Sequence, residues 1–179
     1  MAFISISITK NHPLILGKGG FGRQLADWLS AEGWGEAEFL DDSAPGCVGG
    51  LRDYADPKLL KPGRPAFVAL GDNALRVELL QKLAAAGYST PVFISDAASV
   101  SPSAVLEPGC IILPQAYVGA DAHLGVGCIV NAGAIVDHNA HLGRGVHVAP
   151  GGIVKASAEV AEFGKVDSGE IVRSPWENQ

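Results

Sequence analysis

From Val100 to Val172 a branched aliphatic residue returns at every sixth position: Val100, Leu106, Ile112, Val118, Leu124, Val130, Val136, Leu142, Val148, Val154, Val160, Val166 and Val172. Neither the helical period nor strand alternation produces that spacing. Four positions after most of these stands a small residue: Ala104, Cys110, Ala116, Ala122, Cys128, Ala134, Ala140, Gly152, Ala158 or Gly164. A hexapeptide repeat of this kind predicts a parallel β-helix, with the aliphatic side chain in a narrow core and the small residue at a corner. At three hexads per coil it fills roughly four coils. One coil cannot bury its own face, so the coils must stack. Each inward Val or Leu then gains roughly 1.5–3 kcal/mol against the entropy of ordering the backbone. Pro108, Pro114 and Pro150 fall at corners, where no ladder hydrogen bond is donated.

The first half has a different pattern. Pro13 to Gly17 reads as a buried strand, followed by the loop Gly17-Lys18-Gly19-Gly20-Phe21-Gly22 and a helix with Leu25, Trp28 and Leu29 on one face. A second strand, Glu36 to Leu40, ends at Asp41-Asp42. A third, Ala66 to Leu70, runs into Gly71-Asp72-Asn73. Asn73 is expected to cap a helix carrying Leu75, Leu79, Leu80 and Leu83, which Gly87 ends. Pro91 to Ile94 is expected as a fourth strand, and the Ile4-Ile6-Ile8 alternation permits an added edge strand. The whole is a small Rossmann-like α/β layer, whose ligand belongs at the strand C-terminal ends. The loop satisfies G-x-G-x-x-G, whose glycines let a diphosphate approach backbone amides at a helix N-terminus. Asp41 follows at about the spacing of a ribose-binding acid. Lys18 is a candidate for diphosphate charge.

Composition narrows the partners. A net charge of −6 with no Lys/Arg cluster argues against a nucleic-acid backbone. No apolar run reaches the ~20 residues of a membrane span, and Met1-Ala2-Phe3 lacks the start of a signal peptide, so a cytoplasmic protein is expected. The three cysteines, Cys47, Cys110 and Cys128, fit no metal spacing and suit reduced thiols. Cys110 and Cys128 lie three hexads apart and should stack at one corner. His123, His141 and His147 each precede an inward residue and so point outward, while His138 lies on a turn.

The stretches LILGKGGFG, EFLDD, FVALGDNALR, Val100-Ser101-Pro102-Ser103-Ala104 and IVNAGAIVDHNAHLGRGVHVAPG together resemble the NeuD-like sugar O-/N-acyltransferases, a branch of the hexapeptide acyltransferases. The resemblance implies a left-handed β-helix, a homotrimer with sites between subunits, acetyl-CoA as donor and a nucleotide-sugar acceptor, UDP-linked favoured. It implies residues 1–95 as the nucleotide-sugar-binding domain and 96–179 as the acyltransferase domain. By resemblance His138 is the general base, with Asp137 or Asn139 orienting its ring. His147 lies near the thioester, with the Gly151 and Gly152 amides as further oxyanion donors. Gly19, Gly20, Phe21, Asp41, Asp42 and Gly71 are the expected nucleotide contacts, and no metal is expected. Three positions depart from the family pattern. Phe21 replaces a histidine, Asn139 replaces an acid, and Val172-Arg173-Ser174-Pro175-Trp176-Glu177-Asn178-Gln179 stands where relatives continue through further coils. Two other readings are a trimeric nucleotide-sugar-binding scaffold without catalysis, and a γ-class carbonic-anhydrase-like zinc site built from His123, His141 and His147.

Overall fold

The computed structural model describes residues 12–59 and 61–178. The expected Ile4-Ile6-Ile8 strand lies outside them. The described chain divides into two compact units, one running to Ala69 and taking Lys82–Pro91, the other taking Leu70–Gln81 and the chain from Val92 onward.

The first unit is built on three parallel strands, β1 (Leu14–Leu16), β2 (Glu38–Leu40) and β3 (Ala66–Val68), in the order β2-β1-β3. Ile15 stands opposite both Phe39 and Phe67. β1 and β3 are buried throughout, as expected of parallel strands covered on both faces. Helix α1 (Gly20–Ala31) buries Leu25 and Leu29 and leaves Trp28 half-buried.

Helix α2 (Asn73–Ala85) begins one residue earlier than a cap at Asn73 would allow. Asp72 is the cap: its Oδ1 accepts the Leu75 N–H at 2.9 Å, meeting a donor that the first turn leaves without a helical partner. Asn73 instead turns its amide Nδ2 to the carbonyls of Phe163 and Gly164. The helix ends at Gly87, whose φ of 90° suits glycine, and the Tyr88 N–H closes back on the Leu83 carbonyl.

The expected fourth strand of this layer belongs elsewhere. Phe93–Ile94 pairs with Ile111–Ile112, the Phe93 N–H donating to the Cys110 carbonyl and the Ser95 N–H to the Ile112 carbonyl. The reason is in the period: Ile94 stands one hexad before Val100 and extends the series.

The second unit is the parallel β-helix, of roughly four turns. Its two-residue strands form three sheets of five, five and four strands. Each strand pairs in parallel with the equivalent strand one coil away, so Ile111, Ile129, His147 and Lys165 form one outward column. The inward column is closed: Ile112, Val118, Leu124, Val130, Val136, Leu142, Val148 and Val154 are fully buried, and Val100, Leu106, Val160 and Val172 are partly so. At one corner the Cys110 Sγ donates to the Gly125 carbonyl and the Cys128 Sγ to the Gly143 carbonyl. Hydrogen bonding to Cys128 and burial push the Cys110 thiol well above its ordinary range, so it stays protonated.

The three outward faces differ. One carries Phe93, Ile111 and Ile129, all buried, with Val77 and Leu80 of α2 reaching the turns at Gly127 and Gly145. A second carries Val105, His123, His141 and Glu159. The third is an apolar ladder of Tyr117, Ile135, Ile153 and Ile171, in which Tyr117 is 44% and Ile171 47% exposed.

Candidate functional site

The glycine loop of the first unit has the geometry its spacing predicts. Gly17 takes a φ of 100°, and a Cβ on Gly22 would lie 1.9 Å from the Gly17 carbonyl oxygen. Only glycine lets α1 start so close beneath the strand. Nothing lies within 4 Å of where a Cβ would stand on Gly19 or Gly20, which leaves the mouth of the helix N-terminus open. Gly71 is likewise exposed and open, and Phe21 is half-buried.

Asp41 builds the wall of this mouth. Its Oδ2 accepts the Lys18 N–H at 2.7 Å, and its Oδ1 accepts the N–H and hydroxyl of Ser43 and the N–H of Ala44. Those backbone donors, Lys18 foremost, hold its pKa down at about 2. Asp42 accepts the Leu51 N–H through Oδ1. The expectation that Lys18 faces a diphosphate is corrected: its Nζ donates to the carbonyls of Pro45 and Gly46 and lies 5.3 Å from the centre of the Phe39 ring. A cation held by two carbonyls and an aromatic face fixes the loop after β2.

In the second unit His138 stands exposed on the turn after Ile135–Val136. Gly119 makes room for this turn, since a Cβ there would meet the His138 backbone nitrogen at 2.6 Å. Asp137 Oδ1 accepts the His138 N–H at 2.7 Å and so shapes the turn; the ring belongs to Asn139. Asn139, at a φ of 56° that asparagine tolerates, places Nδ2 2.9 Å from His138 Nδ1. An amide N–H can only donate, so Nδ1 accepts and the proton rests on Nε2. A half-rotation of that amide offers Oδ1 instead, which takes an Nδ1 proton and frees Nε2 as a base.

His147 is set differently. Its Nε2 lies 3.2 Å from the Nδ2 of Asn131, a buried side chain whose Oδ1 is already occupied by the Ala132 N–H at 2.9 Å. The orientation of that amide makes Nε2 an acceptor and puts the ring proton on Nδ1. Burial, then the charges of Arg76 and Lys165, press the pKa of His147 down to about 4, so the ring is neutral near pH 7.

The expected amide donors at Gly151 and Gly152 are committed to the turn, to the Ala132 and Ala149 carbonyls respectively, so neither N–H is spare for an oxyanion. His123 and His141 stack at 4.6 Å on one face, with Glu107 3.3 Å from His123 Nε2, while His147 belongs to another sheet. Among the described residues no three metal-ligating side chains converge. Within one chain His147 does not join the His123–His141 pair.

Sequence reasoning missed Asn131 and Arg76. The hexad place of Asn131 gave no signal, since the same place carries Ser101, Glu107, Asp137, Lys155 and Asp167; only its burial singles it out. A buried amide there needs a partner.

Residues 14–83 match the family model described as the PglD N-terminal domain. The acetyltransferase domain of PglB from Neisseria gonorrhoeae FA1090, in complex with acetyl coenzyme A, superposes with a TM-score of 0.84 at 32% identity, over 93% of this chain and 83% of that one. The chain belongs to the hexapeptide-repeat sugar acetyltransferases. A second member, a His-to-Asn variant of perosamine N-acetyltransferase from Caulobacter crescentus in complex with CoA and GDP-perosamine, gives a TM-score of 0.77 at 29% identity, over 86% and 76% of the two chains. WeeI from Acinetobacter baumannii AYE shares the fold, with a TM-score of 0.68 at 16% identity over 90% of this chain and 94% of that one. Among the described residues no helix is long and apolar enough to cross a membrane.

Proposed function

We propose that this chain transfers acetyl from acetyl-CoA to the amine of a nucleotide-linked sugar, with His138 as general base. The observation that carries the reading is the pair of unlike imidazoles: an exposed ring tethered at Nδ1, and nine residues further a neutral ring fixed as a donor. The acceptor nitrogen attacks the thioester carbonyl carbon, and His138 Nε2, freed once the Asn139 amide rotates so that its Oδ1 holds the Nδ1 proton, takes the proton that nitrogen sheds. His147 donates to the carbonyl oxygen as negative charge builds there. The carbon–sulfur bond then breaks, and the thiolate leaves with the proton returned from His138. The complexes of the Neisseria and Caulobacter relatives support this choice of donor and acceptor.

In this reading the first unit holds the nucleotide-sugar and the β-helix carries the chemistry. Gly19, Gly20 and Phe21 present amides to the diphosphate, Asp42 borders it, and Asp41 keeps the loop in shape. A homotrimer fits the apolar ladder of Tyr117, Ile135, Ile153 and Ile171, which neighbouring copies would cover. Incubation with acetyl-CoA and either UDP- or GDP-linked 4-amino-sugars, followed by free-thiol release and by the mass of the product, tests the reading. Thiol release coupled to an acetylated sugar supports it. Binding of nucleotide-sugar with no turnover on any acceptor instead favours the scaffold.

Asn139→Asp separates the two amide orientations. A carboxylate can only accept, so it claims the Nδ1 proton and leaves Nε2 unprotonated. The expected result is a severalfold higher kcat with an unchanged KM for the donor. A lower kcat would show that the amide serves His138 better than an acid.

A further inference from the structure

Arg76 is the largest fully buried side chain among the described residues, and no step above uses it. It lies in the part of α2 that belongs to the solenoid unit. Burying a guanidinium is costly unless its donors are met. Its Nε donates to the Gly127 carbonyl at 2.9 Å, Nη2 to the Gly145 carbonyl at 2.6 Å and Nη1 to the Leu70 carbonyl at 2.9 Å. Gly127 and Gly145 are the same corner on successive coils, with φ of 69° and 68°. One planar fork thus staples two coils at the turn from which His147 projects two residues later, a geometry that a single ammonium cannot reproduce. Burial lowers the Arg76 pKa only to about 10, so it remains a cation at neutral pH.

We infer that Arg76 is a positioning residue for acetyl transfer: it locks the turn before His147 and keeps that ring an uncharged hydrogen-bond donor. The purpose rests on the acetyl-transfer reading; the lock itself does not. Two independent devices act in the same direction. Asn131 can offer only an N–H to Nε2 while its oxygen is held by Ala132, so a second ring proton would leave two donors facing each other. Arg76 from α2 and Lys165 from the adjacent strand oppose a positive ring, and only Asp167 favours one. Because the folded value lies below the free imidazole's 6.5, the stability this neutral ring supplies is present above about pH 6.5 and is lost as the pH falls toward 4.

The test is an NMR titration of the histidine side chains in the full chain, with His147 assigned through a His147→Gln variant, on wild type, Arg76→Lys and Arg76→Met. Wild-type His147 is expected to resist protonation down to about pH 4. Arg76→Met is expected to raise the proton affinity of His147 about tenfold, a shift of one pH unit. Arg76→Lys keeps the charge but not the fork, so its titration stays low while kcat falls and the KM for acetyl-CoA holds. A wild-type midpoint near 6.5, an unmoved midpoint in Arg76→Met, or full kcat in Arg76→Lys overturns the inference. Should Arg76→Met fail to fold, wild type and Arg76→Lys decide it. The titration needs no turnover, so absence of acetyl transfer would defeat the functional reading while the titration still judges the lock.

Discussion

His138→Ala is expected to lower kcat by about two to four orders of magnitude, the usual contribution of a positioned general base, with little change in thermal stability. The side chain is exposed and its ring is hydrogen-bonded to Asn139, so the deletion opens no cavity. The Asp137 bond to the His138 backbone survives the substitution and preserves the turn. Binding of both substrates should therefore persist, and the loss should appear in kcat rather than in KM. Steady-state kinetics beside a thermal unfolding curve check this. Retention of more than about a tenth of wild-type kcat would remove His138 from the chemistry.

Gly22→Ala is expected to destabilise the first unit by about 1–3 kcal/mol or more and to abolish measurable nucleotide-sugar binding. Two effects oppose each other. Alanine is the better helix former by about 1 kcal/mol in a helix interior. Its methyl group, however, would lie 1.9 Å from the Gly17 carbonyl oxygen and 2.9 Å from the carbon, both backbone atoms that have no rotamer to change. The clash wins, and α1 must withdraw from β1, carrying the amides of Gly20 and Phe21 away from the mouth. Calorimetric unfolding and binding of the nucleotide-sugar measure the two consequences. A variant as stable as wild type, with intact binding, would show that the close approach of loop and helix is not what shapes the site.

The period of six made the second half legible because every coil repeats the same burial problem with the same solution. Ile94 was within reach of that rule, yet its apolar neighbours Val92 and Phe93 also read as an ordinary strand of the α/β layer. Residue types that serve two purposes were harder to place. Asp72 and Asn73 are both good caps, and only the register of α2 decides between them. Lys18 looked like a phosphate partner because no pattern shows that two carbonyls wait for it across more than twenty-five residues of chain. Gly151 and Gly152 were legible as a turn, but which of their amides the turn consumes depends on pairing to the neighbouring coil. Arg76, between Leu75 and Val77, reads as an ordinary helix-surface arginine. Its partners lie 51 and 69 residues away, and coil stacking alone brings them together.

The pairing of each coil on the one before makes this half of the molecule behave like a screw thread. Adding or removing one full pitch returns every side chain to its own face, whereas an error of a single residue would turn the aliphatic core outward from that point to the end of the ladder. Lengthening of such a chain is therefore quantised: whole coils can be gained beyond the histidines without disturbing them, and anything shorter has to be hidden in a corner.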